Sequence, residues 1–293
     1  MERLQVVCRP GREIDTGDMI ELTSTIWNGD DYVPKTWADW LADERGLLAV
    51  AEYQGRVLGL GKLSRLTEDA WWLKGLRVHP AYEGRGIASQ LNQYMMAYWL
   101  QHGCGTIRLA TSAKRVQVHR LCRRHSMKKI LELTWFVSIP LAQAISITPF
   151  QPVTPAQTDQ AVRFAQNSQT LELTGGLMDL IWQYAPPAAT LLAEDIKDGR
   201  AFWWRRRAGL LSLINEPDEH GISTATIKLL AGKRADLPAI LQDFHRLASA
   251  QAYPQAGWMA PFRDDIIQVL NETGFERSWD SSLYLFARDH PGG

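Results

Sequence analysis

Leu76 to Ala88 is the stretch whose residue types and spacing point most directly to chemistry. An apolar run, Leu76-Arg77-Val78, ends at His79-Pro80. Two glycines, Gly84 and Gly86, stand two apart, and an amphipathic helical pattern begins at once with Ile87, Ala88 and Ser89. Glycines let a backbone turn tightly and approach a ligand closely. The N–H groups of a helix start, together with the positive end of its dipole, make an anion site. Arg85 adds charge beside it, so a pyrophosphate suits this geometry; a plain strand-to-helix turn with glycines for sterics is the alternative. No Gly-x-x-x-x-Gly-Lys-Ser/Thr occurs, which excludes a P-loop. The dinucleotide fingerprint fails as well, because Ser89 stands where its third glycine belongs and the short opening βαβ unit is missing.

The elements that must position this loop alternate after a meander. Leu47–Tyr53 and Val57–Leu63 read as a hairpin about Gln54-Gly55, Trp71–Val78 as a third strand, Ile87–Leu100 as a helix, Thr106–Thr111 as a strand and Val116–His125 as a helix. The fold class is therefore α/β, with a mixed sheet. The two halves also rhyme. Leu4–Cys8, Pro10 and a helix opened by Asp18 match Ala144–Phe150, Pro152, Pro155 and a helix opened by Asp159. The helix-like run His119–Met127 followed by β-rich Ile130–Leu141 matches Asp264–Thr273 followed by Phe275–Asp289. At 293 residues the chain has room for two domains of about 150. Tandem copies of one fold are expected, residues 1–143 and 144–293.

Here the residues resemble a known family. Glu83-Gly84-Arg85-Gly86-Ile87-Ala88 resembles the Gln/Arg-x-x-Gly-x-Gly/Ala motif of the GNAT superfamily of N-acetyltransferases, with Glu83 in place of the usual Gln or Arg. Leu76-Arg77-Val78-His79-Pro80 resembles that family's fourth strand, and Thr111–Met127 its Asn-x-x-Ala-x-x-Leu-Tyr-x-x-x-Gly-Phe segment. The resemblance implies two tandem GNAT-like domains, the second degenerate, with acetyl-CoA as co-substrate and no metal. It assigns the cofactor to Leu76, Arg77, Val78, Glu83, Gly84, Arg85, Gly86, Ile87, Ala88, Ser89 and Arg115. Gly29–Pro34, Trp40-Leu41, Gly55–Leu60 and Gly75–Val78 look like the histidine N-acetyltransferase-like branch, which acetylates a free amino-acid α-amine.

Acetyl transfer to an amine needs a base for the ammonium, a polarised thioester carbonyl and a proton for the leaving thiolate. The resemblance places Cys122 where the family has a thiolate-protonating Tyr. A thiol near pKa 8.5 can donate a proton, yet a cysteine on a helix is equally a small apolar residue. For the base, Lys74 stands where many relatives have Glu, and a charged lysine takes no proton. Asp30, Asp31 and Glu83 remain as candidates, with Tyr32 as a pocket residue. The expected catalytic set is Cys122, Asp31 and Tyr32, acting on a small-molecule primary amine; a non-catalytic CoA-binding or regulatory protein is the alternative.

In the second half, Thr224–Leu230 leads into Ala231-Gly232-Lys233-Arg234 with one glycine, and Pro238 near the helix start supplies no N–H. This copy is expected not to bind CoA. Trp203-Trp204-Arg205-Arg206-Arg207 reads as an acidic-group site or a solvated strand edge. Charge balances at 32 basic and 32 acidic residues, which gives no general signal for nucleic acid or an anionic membrane. Three scattered cysteines fit a reducing compartment, and no leader pattern or apolar run of about 20 residues is present. A cytoplasmic protein, monomer or homodimer, is expected.

Overall fold

The computed structural model describes residues 2–139, 148–217 and 221–292; the expected boundary at 143/144 lies outside them. The chain divides into two compact units. Unit 1 comprises Met1–Leu109, Val116–Lys128 and Phe286–Gly293, and unit 2 comprises Ala110–Arg115 and Lys129–Leu285.

The first part of the chain forms β1 (Val7–Pro10), α1 (Thr16–Thr23), α2 (Val33–Ala42), β2 (Leu47–Tyr53), β3 (Arg56–Arg65), β4 (Ala70–Val78), α3 (Ile87–His102), β5 (Thr106–Ser112), α4 (Val116–Arg124) and β6 (Lys128–Ser138). In unit 1 the strands run β1-β2-β3-β4-β5; the first three pairings are antiparallel and β4/β5 is parallel. The hairpin turns at Gln54-Gly55, both with positive φ (50° and 77°), the geometry that matches strand twist. Ile87, Leu91, Met95 and Trp99, four apart along α3, are all buried, one apolar stripe of a helix. Met19, Leu22, Val33, Trp37, Trp40, Leu48, Val50, Val57 and Leu60 form a second cluster under α1 and α2. The helix α2, begun by Val33-Pro34, suits proline in a first helical turn.

The remaining elements are β7 (Phe150–Pro152), α5 (Thr158–Gln166), α6 (Gln169–Leu173), β8 (Met178–Asp179), β9 (Tyr184–Ala185), α7 (Ala189–Lys197), β10 (Ala201–Trp204), β11 (Gly209–Pro217), β12 (Ser223–Gly232), α8 (Leu237–Ala250), β13 (Gln255–Pro261), α9 (Asp264–Glu272), β14 (Glu276–Arg277) and β15 (Leu283–Asp289). Unit 2 orders its strands β7-β10-β11-β12-β13-β6. Its pairings through β13 are antiparallel three times and then parallel, the sequence of senses found in unit 1. The rhyme between halves is thus a repeat of topology. In unit 1, Thr106 Oγ1 donates to Asp289 Oδ1 at 2.9 Å and the His290 N–H to the Gly105 carbonyl at 2.7 Å, so the end of the chain completes the first unit.

One local expectation is revised. The strand β10 is flanked by β11 and β7, with Trp203 and Trp204 only 3% and 2% exposed. It is no solvated edge. Arg205, Arg206 and Arg207 form the turn after it, and Arg205 pairs with buried Asp243 at 2.8 Å.

Candidate active site

The site in unit 1 is built on β4. Its parallel ladder to β5 runs from Ala70↔Thr106 to Trp72↔Arg108 and stops. Farther along, β4 stays paired to β3 through Leu60↔Arg77 and Gly59↔Val78. From Leu73 to Val78 the strand has left its parallel neighbour, and an edge so opened presents N–H and C=O groups to a ligand.

The chain then turns through Pro80–Tyr82 into α3. Gly84 and Gly86 have φ of 74° and 83°, left-handed values that cost a residue with a Cβ roughly 1–2 kcal/mol. A Cβ on Gly86 would touch only the Arg3 side chain, 3.3 Å from Cγ. Gly86 caps α3, and the Gln90 N–H donates to its carbonyl at 3.2 Å. Ile87, Ala88 and Ser89 therefore sit in the first turn, where N–H groups lack an intrahelical carbonyl. Glu83 is exposed and Arg85 half-buried, its guanidinium 5.3 Å from the Tyr82 ring.

Two cations at this loop were not foreseen. Arg3 is brought over Gly86 because the Leu4 N–H donates to the Arg85 carbonyl at 3.0 Å and Gln90 Nε2 donates to the Leu4 carbonyl at 2.8 Å. Arg124 of α4 donates to Ser89 Oγ at 2.9 Å. Two guanidinium groups thus reach the helix start, with Arg85 next to it in sequence, and the residues fit a pyrophosphate. Docking of the amino-terminal segment has no local sequence signal; Gln90, on α3's buried face, is the trace of it. Arg115 and Lys114 are exposed in the segment that belongs to unit 2.

On the α1/α2 side of β4, Arg77 turns its side chain to Asp31. Its Nε and Nη2 donate to the two carboxylate oxygens at 2.7 and 3.0 Å, and the Val33 N–H adds a third bond at 3.1 Å. Asp31 is 3% exposed, so its carboxylate is engaged and covered. Asp30 is exposed. Trp27 and Tyr32 lie 4.7 and 5.3 Å from the Arg77 guanidinium and stack at 6.3 Å, with Tyr32 edge-on to Trp40 at 6.1 Å. Burial raises the Tyr32 hydroxyl pKa, opposed by the Arg77 charge. Gly75 has φ of 65°, and a Cβ there would stand 2.3 Å from Trp40 Cη2; β4 bends where the aromatic wall presses on it.

Cys122 is 0% exposed, and burial pushes its thiol up to about 12. Such a thiol is a poor acid. His125 nearby is lowered by burial and by Arg288 and Arg124.

In unit 2, β12 likewise leaves β13 after Ile227↔Trp258. The following loop is occupied by the protein itself. Ser168 Oγ accepts from the Gly232 N–H at 2.7 Å, and Gln169 Oε1 accepts from the Arg234 N–H at 3.1 Å. Side chains around α6 thus bond the N–H groups that an anion would need. Among the described residues no group of three or more His, Cys, Asp or Glu is placed to hold a metal ion, and no helix is long and apolar enough to cross a membrane.

Residues 16–127 match the Acetyltransferase (GNAT) family. Histidine N-acetyltransferase of Xenopus tropicalis is 28% identical over 145 residues, 46% of this chain and 43% of that protein. The chain spans less than half the length of the curated relatives it matches. A GCN5-related N-acetyltransferase from Sphaerobacter thermophilus is similar in structure, with a TM-score of 0.62 at 12% identity over 99% of this chain and 97% of that one. A tandem GNAT protein from the clavulanic acid biosynthesis pathway gives 0.58 at 13% identity, over 97% and 98%. These likenesses establish the fold. The chain carries a GNAT acetyltransferase domain in its first half, within a mixed α/β architecture shared with tandem GNAT proteins.

Proposed function

We propose that the protein transfers an acetyl group from acetyl-CoA to the primary amine of a small molecule, with a free amino acid as the first candidate. The observation that carries this is the turn Gly84–Ala88, a left-handed glycine cap opening α3 beside the freed edge of β4. Ile87, Ala88 and Ser89 would present N–H groups to the pyrophosphate, and Arg3, Arg85 and Arg124 would balance its charge. The edge from Leu76 to Val78 would line the acyl arm. When bound, acetyl-CoA supplies an activated acyl carbon. The similarity to histidine N-acetyltransferase favours an amino-acid acceptor.

Successive domains 1–143 and 144–293 are part of the proposal, with only the first binding CoA; Ser168 and Gln169 at the second loop support that asymmetry. A cytoplasmic, reducing location accords with three free cysteines. The buried Cys122 and the engaged Asp31 favour a second reading, a CoA-binding protein without turnover. A thiol-release assay with acetyl-CoA and a panel of amino acids separates the two. Calorimetry on Gly86→Trp tests the site itself: loss of acetyl-CoA binding is expected, and unchanged affinity would place the cofactor elsewhere.

A further inference from the structure

An enclosed charge without a partner is costly, and this chain pairs several such cations: Arg77 with Asp31, Arg9 with Asp15, Lys62 with Asp43 and Lys228 with Asp195. Arg108 on β5 is different. Its Nε and Nη1 are closed off from water and have no hydrogen-bond partner among the described residues. The two carboxylates whose charge reaches it are engaged elsewhere: Asp289 accepts from Thr106 Oγ1 and Asp69 from Thr67 Oγ1, each at 2.9 Å. The residue is half-buried, and Nη2 is not among the closed-off atoms.

Arg108 stands beside Trp72 in the last rung of the parallel ladder, where β4 and β5 part. Residues two apart on a strand share a face. Trp72, Lys74 and, across the ladder, Arg108 therefore lie on the side where Lys74 Nζ meets the Trp40 ring of α2 at 5.7 Å. On that side the aromatic wall runs from Trp40 through Tyr32 to Trp27, the last two 37% and 49% exposed. The stretch of β4 from Trp72 to Val78 spans about 20 Å at the usual rise of a strand. An anion at the Gly84–Ala88 turn, farther on still, is thus out of reach of Arg108. In unit 2 the last parallel rung, Ile227↔Trp258, has a buried tryptophan where unit 1 has this arginine. The topology itself needs no cation there.

We propose that Arg108 binds the carboxylate of the acceptor, so that the substrate is an amino acid and not a simple amine. This rests on the acetyl-transfer reading given above. A guanidinium is a delocalised cation that stays charged, so a carboxylate arriving at Nη2 neutralises the whole group. The acceptor nitrogen, one carbon from that carboxylate, is then held where the two strands part. Specificity follows from the same contact. An amine without the carboxylate leaves Arg108 unpaired, and a site built to bond a polar group strongly rejects an analogue that lacks it.

The test compares L-amino acids with the amines left when their carboxyl group is removed, L-histidine with histamine as the first pair, in wild type and in Arg108→Met. With acetyl-CoA and the full chain, wild-type kcat/KM should favour the amino acid by about tenfold or more, the size of one hydrogen bond to a charged group. In Arg108→Met that preference should vanish through a raised KM for the amino acid, while the rate on the amine is unchanged. Equal use of both substrates by wild type, or a preference kept by Arg108→Met, would overturn the inference. Acetyl-CoA affinity by calorimetry should be the same in both proteins; a loss would move the anion to the cofactor and likewise overturn it. Arg108→Met should melt at or above the wild-type Tm, since an apolar side chain replaces an unpaired charge. A fall of several degrees would mean that the guanidinium is paired within the protein, against the proposal. Wild type with no thiol release on any amine would instead overturn the acetyl-transfer reading. A thermal-shift series then decides Arg108 without turnover. L-amino acids should raise the wild-type Tm, with no rise from the decarboxylated amines or in Arg108→Met. An equal rise in both proteins, or none in either, would end the proposal.

Discussion

Replacing Asp31 by Leu should be among the most destabilising single changes in unit 1, and the structure gives its size. Asp31 accepts from Arg77 Nε at 2.7 Å, from Nη2 at 3.0 Å and from the Val33 N–H at 3.1 Å. Arg77 is 9% exposed, so water cannot readily replace the lost acceptor. Two hydrogen bonds to charged groups are worth about 1.5–3 kcal/mol each. Breaking a buried ion pair by removing one partner costs about 3–5 kcal/mol, while replacing both partners with apolar residues is often close to neutral. Asp31→Leu should therefore lose about 3–5 kcal/mol, and Asp31→Leu with Arg77→Met should recover most of it. The assay is a double-mutant cycle from urea unfolding, followed by tryptophan fluorescence and fitted to the transition in which Trp27 changes its environment. A coupling below about 1 kcal/mol would be the value of an exposed pair, and would refute the buried-pair reasoning.

Four further outcomes follow from individual sites. Cys122→Ser should lower Tm by burying a hydroxyl in an apolar place, while acetyl-CoA affinity stays as in wild type. A thiol reagent should label exposed Cys104 in the native protein and Cys122 only on unfolding; rapid native labelling of Cys122 would contradict its burial. Asp179 is raised to about 7 by burial, so the folded state holds its proton where the unfolded state, near 3.9, has released it. Its contribution is fully present below about pH 4 and lost as pH climbs through 7. Tm should therefore fall between pH 4.5 and 8 by more in wild type than in Asp179→Asn, and equal slopes would refute the shift. Gly75→Ala must accept φ of 65° and displace Trp40; a drop in Tm of several degrees is expected, and an unchanged Tm would show that β4 bends for another reason.

Much of the fold was legible because both periodicities were clean. The strands at Leu47–Tyr53 and Trp71–Val78 and the helix from Ile87 came within a residue or two, since buried strands and an amphipathic helix write their periods directly into the sequence. The helix α2 was harder: Gly29–Pro34 reads as a turn, and only the spacing of Trp37 and Trp40 marks the buried face behind it. Trp203-Trp204 looked like an edge because three arginines follow, yet those arginines occupy a tight turn and leave the strand interior. The turn at Gly84–Gly86 was legible as glycines before a helix. Arg3 and Arg124 were not, because they reach it through contacts 83 and 35 residues away in sequence, Gly86 with Arg3 and Ser89 with Arg124.

The ownership of Phe286–Gly293 by the first unit has a consequence for how the protein is made. Between Lys128 and Phe286 lie 157 residues (286 − 128 − 1) that belong to the second unit. At about 5–20 residues per second of synthesis, the first unit waits roughly 8–30 s for its final piece. During that interval the edge of β5 that later receives the chain end at Thr106 is without its partner, and such an edge invites pairing with other nascent chains. A ribosome halted shortly before Phe286 should therefore display a protease-sensitive first unit, although every residue of its Gly84–Ala88 turn left the tunnel long before.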